Sequence, residues 1–305
     1  TVATRFGMMY VADWDRDDPN VPSGNGGGAT IPAIAFTAVD EMTYANPVIL
    51  YGQDHNSGIA STPTHLAALS STLFVVAFQD DTPTYLGKAV ALTVDGSNSI
   101  TWGTPVQFYG GQIDEWHVVA LDSSTIVISY RVTGTDDVYV ISGTISGTTI
   151  SFGTAVSTST QMSETDPLRY HHLAKRNSSS VLLAYTTEGS TDYTKVAQIA
   201  ISGTTVGAFT AAGSYSTGAT HDNPVIGCPG ENHHIVLYRT PKGFPGFTGT
   251  VGLEWFSHAY SGGSWNALSD ERIAYSGSSY YIRSKRNHIH GAAVCSDRVA
   301  FAYTW

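Results

Sequence analysis

Positive charge is scarce in this chain: 15 Lys plus Arg stand against 25 Asp plus Glu in 305 residues, and the four types together make only 13% of the sequence. A net charge of −10 excludes the basic stripe that a phosphate backbone demands, so nucleic acid is not an expected partner. Long apolar runs are missing as well. No stretch approaches the roughly 18 residues that cross a bilayer, which excludes a helical membrane span. The opening Thr1-Val-Ala-Thr-Arg5 lacks a charged-then-apolar signal pattern, as expected of a mature soluble chain or an excised domain. Cysteine is nearly absent. Cys228 and Cys295 fall in corresponding parts of two repeats, so a bridge between neighbouring inner strands and a pair of small buried hydrophobes both fit their spacing.

What is present is an apolar content of 42%, ample for a core, and a surface filled out by Gly, Ser and Thr. A hydroxyl-rich, lysine-poor surface on a strand-forming sequence fits an extracellular or virion-exposed protein. The internal order is a repeat. His65–Phe78, His117–Tyr130, His172–Tyr185, Val225–Tyr238 and His290–Tyr303 have the same length, each closing an apolar run on an aromatic, and four of the five begin with His. Their starts are 52, 55, 53 and 65 residues apart. Between them lie strand–turn–strand patterns with Gly in the turn, over 88–109, 139–159, 195–215 and 250–275.

Two strands from each marker and two from each hairpin give four strands per repeat of about fifty residues, the size of a propeller blade. The predicted fold is therefore all-β, a five-bladed β-propeller forming a single domain over 1–305. Blades are assigned to 65–115, 116–167, 168–224 and 225–281. The fifth is shared between 31–64 and 282–305, because the last marker ends at Tyr303 and its hairpin must come from the strand patterns at 31–39 and 42–51. Residues 1–30 read as an irregular insertion on the loop face. A six-bladed ring begun by Arg5–Ala12 is the alternative, with no sixth marker to support it.

The segments VVAFQDDTPTYLGKAVALTVDGSNSITWGTPV (75–106) and VISYRVTGTDDVYVISGTISGTTISFGTAV (127–156) resemble a propeller-type repeat of phage and marine viral tail-fibre-like proteins and bacterial surface proteins. The resemblance covers the first three blades well, the fourth loosely and the first thirty residues not at all. It implies an adhesion or receptor-binding module. The five-blade count is also similar to that of tachylectin-like lectins and furanosidases, a likeness of fold alone.

In a propeller, the connections entering the inner strands and those between second and third strands share one face. That face is expected to bind. Asp114, Glu115, Trp116, Asp166, Tyr170, Asp222, Asn223, Tyr280 and Tyr281 are placed there in entering loops, and aromatic rings beside acids and amides are the chemistry of sugar recognition. Packing at blade interfaces is the competing role for each ring. Asp114, Glu115, Asp166 and Asp222 are also the acids from which a glycosidase pair would be drawn, though no motif singles one out.

His65, His117, His172 and His290 occupy one equivalent position, where four imidazoles would meet a transition metal or else pair with adjoining blades; the structural role is preferred. Small residues at the next inner positions, Ala67, Ala68, Ala120, Ala174, Gly227, Ala292 and Ala293, suit a narrow channel. Asp13, Asp15 and Asp17 are spaced as a calcium loop begins, but Asp18 and Gly24 stand where such a loop needs Gly and Glu. No cofactor is required. The reading at this level is a glycan or cell-surface receptor binder without chemistry, with a carbohydrate-active enzyme or a self-assembling homo-oligomer as alternatives.

Overall fold

The computed structural model describes residues 65–80, 85–97, 99–189, 193–215, 222–240, 252–273, 289–295 and 298–303. All of them lie in the unit His55–Trp305, one of two into which the chain divides. The predicted roles of residues 1–64 and 274–288, including Asp13, Asp15, Asp17, Tyr280 and Tyr281, fall outside the described residues.

The described chain is built almost entirely of antiparallel strands. The first sheet holds β1 (His65–Ala68), β2 (Leu73–Asp80), β3 (Leu86–Val94), β4 (Ile100–Trp102) and β5 (Val106–Tyr109), with β4 and β5 both on β3. The second holds β6 (Ile113–Ala120), β7 (Thr125–Val132), β8 (Asp137–Ser146), β9 (Thr149–Phe152) and β10 (Val156–Ser157), and is followed by the short helix α1 (Thr158–Met162). The third is β11 (Leu168–Asn177), β12 (Ser180–Thr187), β13 (Tyr193–Ser202) and β14 (Thr205–Tyr215). The fourth is β15 (Asp222–Gly230), β16 (His233–Thr240), β17 (Gly252–Ser261) and β18 (Ser264–Ile273), and β19 (Ile289–Cys295) pairs β20 (Arg298–Tyr303).

Each marker has become an inner hairpin, and its Val, Ile and Leu run is continuous because both faces are covered. All eight residues of β7 and all eight of β12 are buried. The sheets stack through three shared cores: Trp116, Ile128 and Tyr130 with Phe108 between the first two; Val140, Leu168 and Leu183 between the next; Leu182, Ile226, Val236 and Phe256 between the last. Inner strands β1, β6, β11, β15 and β19 lie side by side in chain order, as blades around an axis do. The closing aromatics of the second, third and fourth markers sit at these seams. Tyr130, Tyr185 and Tyr238 are fully buried, and Tyr185 donates its hydroxyl to Glu164 at 2.8 Å.

Three local features depart from the sequence pattern. The fourth strand of the first sheet is broken into β4 and β5 at Gly103-Thr104-Pro105, and that of the second into β9 and β10 at Gly153-Thr154-Ala155, where each glycine lies against the backbone of the next sheet. Residues 158–162, where the strand pattern of 139–159 gives way to the following loop, form α1, because Ser157 caps it by accepting from Thr160 N at 3.1 Å and Ser163 ends it in the left-handed region at φ 56°. The inner strands also begin earlier than their His markers. Asp114, Glu115 and Trp116 are therefore within β6, Tyr170 within β11, and Asp222 and Asn223 within β15, instead of in entering loops.

Candidate active site at the channel mouth

Those early strand starts are held by bulges at equivalent places. The register of β6 against β7 slips between Ile113 and Glu115, that of β11 against β12 between Arg169 and His171, and that of β15 against β16 between Asp222 and Val225. A bulge inserts one extra residue and re-aims its neighbours, a device found beside functional sites. Here it brings Glu115 and the marker histidines to one point. His65 and His117 meet edge to face with ring centroids 4.5 Å apart, and His117 and His172 are 4.6 Å apart. The marker imidazoles of the first three sheets thus converge, while the side chain of His290 lies outside the described residues.

Glu115 is the anion of this cluster. Its Oε2 lies 3.5 Å from Nδ1 of His171, its Oε1 3.9 Å from Nε2 of His117, and Oε1 accepts from the backbone N of His171 at 3.3 Å. Desolvation would raise its pKa, but the two imidazoles outweigh that and hold the carboxyl far below the usual carboxylate range. Burial lowers His117, and lowers His172 strongly, so both are neutral at pH 7. The Glu115 side chain is 18% exposed and that of His117 15%, enough for a ligand in the mouth to reach them.

His171 was not singled out in the sequence, where it reads as the residue before a marker. It occupies the place that Trp116 holds in the preceding sheet, and both reach back to the neighbouring blade. Trp116 is fully buried and donates its indole N–H to Ala77 O at 3.1 Å; its ring joins the first two sheets and presents no face to a ligand. His171 is equally buried but meets Glu115 instead, and its Nε2 has no hydrogen-bond partner among the described residues. The His171-His172 pair was the available signal.

Around the cluster, charged residues tie the loops of successive sheets together. Arg131 pairs with Asp114 and, at 2.8 Å, with Asp136; Arg169 pairs with Glu188 and lies 3.8 Å from Asp136. Asp136 also accepts on its backbone O from Leu168 N at 2.6 Å. Asp166 is exposed and packs on Gly189, where an added Cβ would collide with its carboxylate. Backbone strain marks the same end. Tyr85, Asp136, Ser163 and Tyr170, the non-glycine residues at positive φ among those described, all lie in or next to connections on this face. At the opposite end the tight turns use Gly147, Gly203, Gly262 and Gly263 at positive φ, where no side chain is strained.

Behind the cluster a cavity of about 300 Å³ runs between the inner strands, lined by His172, Ala67, Ala68, Ala120, Ala174 and Gly227 among others. These alanines and Gly227 are the small residues of the first four markers. Among the described residues, no three His, Cys, Asp or Glu side chains are disposed to hold one metal ion. Cys228 is a free buried thiol whose Sγ lies 3.0 Å from Gly230 O and 3.1 Å from His233 O, and burial pushes its pKa up to about 11.

No protein-family model and no curated protein matches the sequence. Among solved structures, an α-L-arabinanase of Penicillium chrysogenum complexed with arabinobiose is 12% identical, with a TM-score of 0.50 over 77% of this chain and 72% of that one. A GH93 α-L-arabinofuranosidase of Fusarium graminearum with arabinobiose is 13% identical, with a TM-score of 0.47 over 69% of this chain. The present chain covers 65% of that enzyme's length. At such identity the likeness is one of fold alone. The chain is thus an all-β protein of propeller type, similar in fold to the Penicillium arabinanase.

Proposed function

We propose that this protein acts on glycans at the channel mouth, cleaving a glycosidic bond with Glu115 as the ionised carboxylate. The observation that carries this is Glu115 itself: an ionised carboxylate that accepts from the backbone N–H of His171 and lies beside the His117 and His171 rings, partly open to solvent, on the face where strain and bulges gather. Such a carboxylate suits the developing positive charge of an oxocarbenium-like transition state, as nucleophile or as base for water. The bond-breaking acid is proposed among Asp166 and Asp222, on the same face. The propeller-type glycan enzymes supply the substrate class, a saccharide such as arabinobiose, by analogy of fold.

The test is release of new reducing ends from a panel of polysaccharides that includes arabinose-containing ones. Turnover is expected, and Glu115→Gln should lower it by about two to three orders of magnitude, the range for a charge that acts in the transition state. Tight glycan binding with no cleavage of any member would overturn the enzymatic reading. It would leave a non-enzymatic glycan or receptor-binding module, secreted or on a virion surface. The ion-paired rim Asp114–Arg131–Asp136–Arg169–Glu188 favours that second reading, since it offers a rigid polar face.

We also propose five blades, the last shared between chain ends. Two strands alone are marginal and leave an edge, and β19–β20 is a pair where the other sheets have four or five strands. The strand patterns at 31–39 and 42–51 supply the missing hairpin in this proposal. Deleting 31–51 should then destabilise the remaining chain; an unchanged melt would refute the sharing.

A further inference from the structure

Away from the channel, a groove of about 490 Å³ opens between the third and fourth sheets, within the usual range of small-molecule sites, about 300–1,000 Å³. Its walls come from β13 and β14 on one side and β17 and β18 on the other, with Met162 and Glu164 at one end. Both walls are bulged at the groove. Ala212 is the extra residue where β14 pairs β13, and the register of β17 with β18 slips between Ser257 and His258. Such paired irregularities re-aim side chains in an otherwise regular ladder.

The groove is chemically specific. Glu164 accepts from Lys195 at 2.7 and 2.9 Å and from the Tyr185 hydroxyl, so the local cation and anion cancel. His258, 9% exposed, lines the groove with Nδ1 unpartnered among the described residues, and burial lowers its pKa. Gly213 keeps that imidazole in place, for a Cβ there would lie 2.6 Å from its Cε1. Trp265 forms another part of the wall, fixed by its Nε1–H donated to Gln198 Oε1 at 2.9 Å. The exposed Ser214 adds a hydroxyl.

From this lining we propose a second ligand site, for a neutral sugar ring, between the third and fourth sheets. The indole, which also carries Arg176 at 5.2 Å and packs on His234 and Tyr260, offers its groove-lining part to the apolar C–H side of a sugar, while a carboxylate, an ammonium, an imidazole nitrogen and a hydroxyl serve its hydroxyl groups. A charged ligand finds no uncompensated partner there. The inference stands apart from hydrolysis at the channel mouth, because it rests on none of the residues of that site.

The experiment uses the full chain carrying Glu115→Gln, so that hydrolysis is disabled, titrated calorimetrically with L-arabinose, D-galactose and D-glucose. Saturable binding of at least one sugar is expected, weakened at least tenfold by Ala267→Trp, which fills the groove from an exposed position. Hydrolysis by the chain with Glu115 intact should survive Ala267→Trp. Ser214→Trp, from the opposite wall, repeats the blockade if the first variant misfolds. Binding that persists at full strength in the blocked protein, or no binding of any of the three sugars, overturns the second site.

Discussion

His234 shows how much a single imbalanced residue can reveal. It is fully buried, its two ring nitrogens have no hydrogen-bond partner among the described residues, and it stacks on His258 at 5.1 Å between Phe256 and Trp265. Burial, with the charges of His258 and His233, lowers its pKa to about 3. The unfolded chain therefore takes up a proton near pH 6.5 while the folded chain stays neutral, so stability is complete above that pH and falls as pH drops towards 3. The slope for this one group is about 1.4 kcal/mol per pH unit. Glu115 loses its contribution in a lower window, beginning where an ordinary glutamate protonates, near pH 4.3, because its folded pKa is also depressed. Urea unfolding at pH 7 and pH 5 should thus differ by about 2 kcal/mol from His234 alone; because burial lowers His117, His172 and His258 in the same direction, His234→Phe should shrink the measured difference by that amount without abolishing it. An equal pH slope in that variant would contradict the assignment.

The sequence showed four marker histidines at one position, and three of them meet as edge-packed rings. It did not show His171 or the partnership with Glu115, because both depend on a bulge, and a bulge leaves no periodicity to read. Trp116 and Glu115 are adjacent in sequence, yet one belongs to the core and the other to the mouth. Alternation along a strand separates such neighbours only once its register is known.

At the scale of elements, the blades dock through glycines as much as through apolar side chains. Gly103 in the first sheet packs against the backbone of Thr148 in the second, and Gly153 in the second against the backbone of Thr204 in the third. A Cβ at either would overlap a carbonyl oxygen of the next blade. Beside the second contact, Ser142 Oγ donates to Gly203 O at 2.6 Å, so the turn of each blade is seated in its predecessor. Gly153→Ala should cost about 1–3 kcal/mol, as overpacking against rigid backbone does, whereas Gly147→Ala, in open space at φ 60°, should cost only its turn strain of about 1 kcal/mol. Denaturant melts of the two variants check the difference; equal losses would refute the docking role. The repeated Gly-Thr of 103–104 and 153–154 lies inside the strand patterns of 88–109 and 139–159, where nothing local marks it out. Its true use is contact between blades, a long-range fact that local pattern cannot carry.

For the whole molecule, the architecture was legible because a repeat of about fifty residues constrains every blade by its neighbours. The marker predicted both the inner hairpins and the small residues that line the cavity between the first four of them. The same arrangement makes the blades dependent on one another. β7 and β12 are buried along their full lengths, so no sheet can keep its covering if the next one leaves. Trp116 is the sharpest test of this dependence, since its ring fills the seam of the first two sheets and its N–H satisfies Ala77 O. Trp116→Ala should destabilise by about 3–5 kcal/mol through the cavity it leaves. The loss should be felt in the fourth sheet too: a probe on the exposed Ser264 turn should report the same lowered midpoint as one on the exposed Ser70 turn of the first. Separate midpoints would mean that the sheets unfold as independent neighbours, in the manner of a long repeat array, and not as one cooperative body.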